Sequence, residues 1–119
     1  MSSMNNRQTG SLGEQKALEY LLKNGYKLIE KNWHYSKAAE IDLIVEKADT
    51  IIFVEVKTRN NLNFGHPFEA ITKTKMQNIK KAVHAYLTLN PNLKFKNIRI
   101  DGIAIIGNPQ KIEHLKNIY

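Results

Sequence analysis

Asp42, Glu55 and Lys57 all fall within one apolar stretch, EIDLIVEKADTIIFVEVKTR, residues 40–59. Two carboxylates and an ammonium close together can hold a divalent cation beside a proton-transfer group. That is the equipment of phosphodiester hydrolysis. The surrounding residues Ile41, Leu43, Val45, Ile52, Val54 and Val56 are what a buried sheet requires, and the segment reads as two β-strands joined by a short turn. Strand side chains alternate between faces. Ile41, Leu43 and Val45 are therefore expected on one face with Ile52, Val54 and Val56. Ile44, Ile51 and Phe53 take the other face, together with Glu40, Asp42, Glu55, Lys57 and Arg59. A sheet covered by helices on both sides accounts for two apolar faces, with the charges at one end of a covered face.

Register decides how close the charges come. If Ala48 and Asp49 form a two-residue loop, Lys47 faces Thr50, Asp42 opposes Glu55 and Glu40 opposes Lys57. Directly opposed residues have Cβ atoms about 4.5–5.5 Å apart. Two carboxylates at about 5 Å repel by roughly 3 kcal/mol at an effective dielectric of 20, a large fraction of a stability of about 5–15 kcal/mol. A shared proton, neighbouring cations or a bound divalent metal would each relieve the repulsion. Lys57 and Arg59 could neutralise the pair, and Glu40 with Lys57 could form a cross-strand ion pair. Alternatively, Asp42, Glu55 and the Val56 carbonyl offer oxygen ligands suited to a hard cation such as Mg2+, with Lys57 alongside. A three-residue loop would shift the register by one and separate the carboxylates.

The elements that must position these groups follow from periodicity. SLGEQKALEYLLKNG predicts a first helix with Ser11 as N-cap, an apolar stripe of Ala17, Leu18, Leu21 and Leu22, and Gly25 as its stop. YKLIEKNWHY predicts a strand before the hairpin, and NNLNFGHP a loop after it. In TKTKMQNIKKAVHAYLTL, Met76, Ile79, Val83, Tyr86 and Leu87 recur at helical spacing, while Lys73, Gln77, Lys80 and His84 form a separate polar stripe. NIRIDGIAIIG predicts a buried strand, Asn108-Pro109 a turn, and KIEHLKNIY a short last strand. The order α-β-β-β-α-β-β, with a helix between the third and fourth strands, implies a right-handed crossover and a mixed sheet with one parallel pair. The fold class expected is α/β.

Composition bounds the rest. The 119 residues suffice for one domain, with 42% hydrophobic and 24% charged residues. Residues 1–10 are expected to be a flexible N-terminus and residues 11–119 the single domain. Cysteine is absent, which excludes disulfides and thiolate metal sites. No apolar run approaches the roughly 18 residues of a membrane span, and MSSMNNRQTG lacks a signal-peptide pattern, so a cytoplasmic address with no membrane partner is the default. A net charge of +7 favours polyanions such as nucleic acid or acidic lipid.

An acid followed by an E-x-K strand resembles the PD-(D/E)XK nuclease signature. More specifically, GEQKALEYLLKNGYKLIEKN, EIDLI, FVEVKTR, the FG-P-EA loop, the lysine-bearing second helix and RID together resemble the bacterial YraN-like family. Its members are similar to small Holliday-junction-resolvase-type nucleases, and the resemblance covers nearly all of residues 10–119. It implies a restriction-endonuclease-like core (α-β-β-β-α-β) whose mixed central sheet is flanked by helices. It also implies Asp42 and Glu55 as catalytic metal ligands together with the Val56 carbonyl, Lys57 as the catalytic lysine, and Mg2+ or Mn2+ as cofactor. Glu14 corresponds to a first-helix acid that can complete the metal or water shell, although Ser11-x-x-Glu14 is also a capping box. Glu40 matches the acid of EID, as a further ligand or as a partner of Lys57. Lys75 resembles a further polar helix residue of the superfamily, or is a solvated lysine. Arg59 could hold a phosphate or screen the carboxylates. Asp101 matches RID, or is a strand-edge residue bonded to Arg99. Lys73, Lys80 and Lys81 make a basic helix face that, with Arg59 and Lys75, could meet phosphates.

Ala39 departs from the glycine typical before EID, and NWHYSK replaces a more arginine-like segment; both bear on substrate contacts rather than chemistry. His34, His66, His84 and His114 show no ligand spacing and read as surface or packing residues. Trp33 and Tyr35 could stack on a base, with core or edge packing the plainer reading. Phe64 to Pro67 could be a substrate-side loop or a connector. The expected activity is metal-dependent endonucleolytic hydrolysis of DNA, branched or structured, by a chain that could act as a homodimer. The alternative is a nucleic-acid-binding or adaptor module that keeps the nuclease fold without turnover.

Overall fold

The computed structural model describes residues 6–37, 39–63, 65–69 and 71–118, with only the helical backbone described for residues 6–11. Helix α1 (Asn6–Lys23) precedes strands β1 (Lys27–Ser36), β2 (Ala39–Lys47) and β3 (Thr50–Arg59). Helix α2 (Lys73–Leu89) and strands β4 (Asn97–Ile106) and β5 (Lys111–Leu115) complete the fold. The five strands form one sheet in the order β1-β2-β3-β4-β5. Only β3 and β4 pair in parallel, joined through α2, and the other neighbours are antiparallel. This is the expected α/β architecture, compatible with an α-β-β-β-α-β nuclease-like core. Among the described residues no helix is long and apolar enough to cross a membrane.

The two helices cover opposite faces. Ala17, Leu18 and Leu21 of α1 pack on Leu43, Val45, Ile52, Val54, Ile103 and Ile105. Ile79, Ala82, Val83 and Tyr86 of α2 pack on Ile41, Ile44, Ile51, Phe53 and Ile100. Each buried Leu, Ile, Val or Phe is worth about 1.5–3 kcal/mol, and burial on both faces makes strands β2 to β4 nearly continuous apolar runs.

Ala48 and Asp49 both have positive φ, 49° and 61°, the signature of a two-residue type I′ turn. Lys47 therefore faces Thr50, as the two-residue loop required, and the ladder runs to Leu43 opposite Val54. The Asp49 carbonyl accepts from the backbone N–H groups of Lys96 and Asn97 at 2.6 and 3.1 Å, which ties the turn to the start of β4.

Two expectations change. Helix α1 starts at Asn6, so Ser11 lies inside it and Ser11-x-x-Glu14 is not a capping box at its N-terminus. Ile41 faces α2 rather than sharing the α1 face with Leu43 and Val45. The alternation breaks at Asp42. Opposite it, between the pairs Lys31–Leu43 and Trp33–Ile41, stands Asn32 in the left-handed region with φ 50°. Such an excursion reorients the strand and turns Trp33 and Ile41 together towards α2.

Candidate functional site

The break at Asp42 builds the site. Continued beyond Leu43 and Val54, the ladder would place Asp42 against Glu55, but the link there is made by a side chain. Asp42 Oδ2 accepts from the Val56 backbone N–H at 2.8 Å. A residue in a strand directs its N–H and C=O to the same side, so the Val56 carbonyl also points to the side of β3 on which Asp42 lies. The carboxylate of Asp42 takes the place of a backbone acceptor and is held, mostly buried, between the two helical layers.

Three further groups are brought to it. Gly13 lets α1 approach the end of β3: a Cβ there would overlap the Thr58 hydroxyl. That close approach delivers Glu14, which hydrogen-bonds to Asn32 and Asp42. From the other layer, Thr72 caps α2 by accepting the Lys75 N–H at 3.1 Å, and the first turn aims Lys75 at the sheet. Lys75 Nζ lies 3.3 Å from Glu55 Oε1, and Lys57 Nζ lies 3.7 Å from the same oxygen. The first turn of α2 contains no acid, so Lys73 and Lys75 stand unfavourably against the helix dipole, by about 0.3–1 kcal/mol each. Glu55 offsets this for Lys75.

The electrostatics follow. Burial, then the charge of Glu55, and then those of Glu14 and Glu40 push the Asp42 carboxyl up to about 8, against the opposing Val56 N–H. Burial and the charges of Glu40 and Glu55 also raise Glu14, partly offset by its bonds to Asn32 and Asp42. Lys57 is lowered, first by burial and then by contact with Lys75 and the charge of Arg59, with Glu55 opposing. Lys75 is raised: burial acts against its charge, and contact with Lys57 and Glu55 outweighs it. Protons therefore gather on Asp42, Glu14 and Lys75, while Lys57 is the amine readiest to give one up.

The model of the Uncharacterised protein family UPF0102 matches residues 13–105. The chain belongs to that family. A UPF0102 protein of Syntrophomonas wolfei is 44% identical over 116 residues, spanning 96% of this chain and 99% of the relative. Another, of Dictyoglomus turgidum, is 45% identical over 107 residues, 90% and 89% of the two chains. A third, of Clostridioides difficile, is 40% identical and spans 98% and 100%. The segment that defines UPF0102 here contains every member of the cluster from Glu14 to Lys75.

In this UPF0102 fold the expected residues divide. Asp42, Glu55, Lys57, Val56, Glu14 and Lys75 converge. Glu40 does not pair with Lys57: it is exposed, and its near partner is His34, 3.8 Å away, because β2 and β3 part at Asp42. Arg59 is exposed and turns its guanidinium to the Thr58 carbonyl at 2.8 Å. Lys73 and Lys80 flank a cleft of about 810 Å³ that also meets His66, Phe68, Glu69, Met76 and Glu113 and is not lined by Asp42, Glu55 or Lys57.

Asp101 is not at a strand edge. It is fully buried in β4 between β3 and β5. It accepts from Arg99 Nε and Nη2 at 2.8 and 2.9 Å, from the Asn117 N–H at 2.9 Å, and bonds His114 Nε2 at 2.7 Å. Arg99 also reaches the Tyr26 hydroxyl, and His114 the Tyr20 hydroxyl. His114 is thus a packing residue with a structural partner. Asn32 was not anticipated as part of the site; an Asn before an aromatic pair in a strand, a residue tolerant of left-handed backbone, was the available signal.

Among the described residues no three acidic or imidazole groups stand together so as to enclose a metal. Mg2+ does not require such a cage. It keeps several waters and is commonly held by one or two carboxylates plus substrate phosphate. Asp42, Glu55 and the Val56 carbonyl, with like charges in mutual repulsion, fit that kind of site.

Proposed function

We propose that this UPF0102 protein is a metal-dependent DNA endonuclease of the PD-(D/E)XK type that hydrolyses phosphodiester bonds in branched or structured DNA. The observation that carries the reading is the convergence of Asp42, Glu55 and the Val56 carbonyl beside an amine whose proton is loosened. Asp42, Glu55 and Val56 would hold Mg2+ or Mn2+. When bound, the ion supplies Lewis acidity towards a phosphate oxygen. Lys57 positions the attacking water through Nζ and, in its neutral form, can take up the proton that water releases. Lys75 keeps the Glu55 carboxylate oriented and holds positive charge where the scissile phosphate would lie. Glu14 keeps Asp42 turned into the opening through their hydrogen bond. Water adds to phosphorus as the bond to the leaving sugar oxygen breaks, and that oxygen is protonated from solvent.

Arg59, Lys73, Lys75 and Lys80 supply backbone-phosphate contacts, which makes binding salt-sensitive and largely independent of sequence. A cytoplasmic protein acting as a two-fold dimer would match a symmetric junction. The test is cleavage of a labelled four-way junction with Mg2+ or Mn2+ by the natural protein and by Lys57→Ala. Equal rates in both would remove Lys57 from the chemistry.

A second reading rests on its own observation. Glu55 is already flanked by two lysines within 3.7 Å, so the cluster is partly neutralised by the chain itself. This favours a nucleic-acid-binding or adaptor module. DNA binding that persists in EDTA, with no cleavage under either metal, selects it.

A further inference from the structure

The end of β1 carries aromatic surface that the carboxylate cluster does not use. Trp33 and Tyr35 lie on one face of the strand, with ring centroids 6.4 Å apart and planes only 12° from parallel. Trp33 is the inner ring: it meets Tyr86 edge-to-face at 5.2 Å and packs on the α2 side of the core. Tyr35 is the outer ring and is 54% exposed. It lines a groove of about 550 Å³ along α2 with Lys80, Lys81, His84 and Leu89, and among the described residues no carboxylate lines that groove.

A flat ring held against a partly buried neighbour, bordered by cations, suits a ligand with a flat π face and a negative charge. Nucleobases joined by phosphates combine the two, and stacking on an aromatic ring tolerates any base. Position agrees. Tyr35 is three residues along β1 from Asn32, which stands opposite Asp42, or about 10 Å of strand. Lys81 is six residues along α2 from Lys75, or about 9 Å of helix axis. Both estimates put the groove on the order of 10 Å from the carboxylates, within a few nucleotides along one strand.

We propose that Tyr35 is a base-stacking platform for a single-stranded flank of the DNA substrate, with Lys81 and His84 meeting the phosphates beside the stacked base. This rests on the DNA reading of the carboxylate cluster and adds a subsite to it. It predicts a substrate with unpaired nucleotides near the scissile bond.

The test is made in EDTA, so that no cleavage intervenes. Fluorescence anisotropy follows binding of a labelled oligothymidine of about fifteen nucleotides, and of an abasic strand of the same length. Tyr35→Ala should weaken oligothymidine binding roughly tenfold, and Tyr35→Phe by less than about twofold. The abasic strand should bind the natural protein as weakly as oligothymidine binds Tyr35→Ala, and should not distinguish the two proteins. Lys81→Ala should lower the salt slope by about one. Because Tyr35 is exposed, an unchanged circular dichroism spectrum and urea midpoint will show that Tyr35→Ala is folded.

Equal affinity of the natural protein and Tyr35→Ala for oligothymidine, or no binding at low salt, overturns the platform. Cleavage of junctions by a protein that ignores oligothymidine also overturns it, while sustaining the nuclease reading. Tyr35-dependent binding without cleavage under Mg2+ or Mn2+ sustains the platform and removes the nuclease.

Discussion

Replacing Asp42 by Asn should stabilise the protein near neutral pH and leave it unchanged in acid. The Asp42 carboxyl is pushed up to about 8 from an ordinary value near 3.8, chiefly by burial and by the charges of Glu55, Glu14 and Glu40. A carboxyl raised on folding binds more protons in the native state than in the unfolded chain between those two values. Stability therefore falls as pH rises from about 4 to about 8, and is flat above. At pH 7 the native protein carries a penalty on the order of 4 kcal/mol, taking about 1.4 kcal/mol for each unit between the unfolded value and the working pH. Its neighbours titrate with it, so this is an upper bound. Asparagine keeps an oxygen for the Val56 N–H and removes the charge. Urea unfolding followed by Trp33 fluorescence, from pH 4.5 to 8 with and without Mg2+, separates the effects. We expect Asp42→Asn to exceed the natural protein by several kcal/mol at pH 7.5 and to match it at pH 4.5. Mg2+ at about a hundred times its dissociation constant should return about 2.7 kcal/mol to the natural protein and none to Asp42→Asn. If Asp42→Asn is the less stable protein at pH 7.5, the carboxylate is not strained and the cluster is an ordinary ion-pair network.

Lys57→Ala should reduce junction cleavage by roughly 10²–10⁴-fold, the usual range for a proton-transfer group, while anisotropy in EDTA finds DNA affinity nearly unchanged. Ala48→Gly should raise the urea midpoint by about 0.5–1 kcal/mol equivalent, because a left-handed alanine costs about 1–2 kcal/mol and glycine returns part of that as chain entropy; a lower midpoint would contradict the type I′ assignment. Asp101→Ala should destabilise by about 3–5 kcal/mol by leaving Arg99 without its partner, read by the same unfolding curves. Asp101 itself lies low because burial, which would raise it, is outweighed by His114, Arg99 and the Asn117 N–H. Its contribution is complete above about pH 4 and is lost as pH falls through the depressed native value, a slope opposite in sign to that of Asp42.

Local patterns were enough wherever structure is local. Of the two loop lengths open to the hairpin, the fold takes the two-residue turn at Ala48-Asp49, and that pairing brings Asp42 towards Glu55. Gly25, at φ 87°, ends α1 where expected. What escaped detection depends on remote partners. Ile41 turned to α2 because Asn32, in a different strand, leaves extended backbone. The spacing of α2 leaves Lys75 readable as a solvated lysine, and only the seating of that helix on the sheet brings it 3.3 Å from Glu55. Asp101 resembled an edge residue because the groups that satisfy it come from β5, the Asn117 turn and, through Tyr20 and Tyr26, from the region of α1.

The two buried aspartates make the functional argument by contrast. Asp101 and Asp42 sit in neighbouring parts of one sheet, Asp101 wholly and Asp42 largely removed from water. Asp101 is surrounded by donors, has every oxygen bonded, and is stabilised as an anion. A carboxylate placed for structure is provided for in this way. Asp42 has one backbone N–H and is faced by Glu14, Glu40 and Glu55. The two lysines nearby pair with Glu55, and among the described residues no ion pair within 4 Å reaches Asp42, which feels the Lys75 charge only from farther away. A fold able to satisfy one aspartate fully has left the other facing like charges, on the side of β3 to which the Val56 carbonyl also points. A carboxylate held against its neighbours, beside an amine with a loosened proton, suits the proposed external cation and phosphate better than a structural ion pair does.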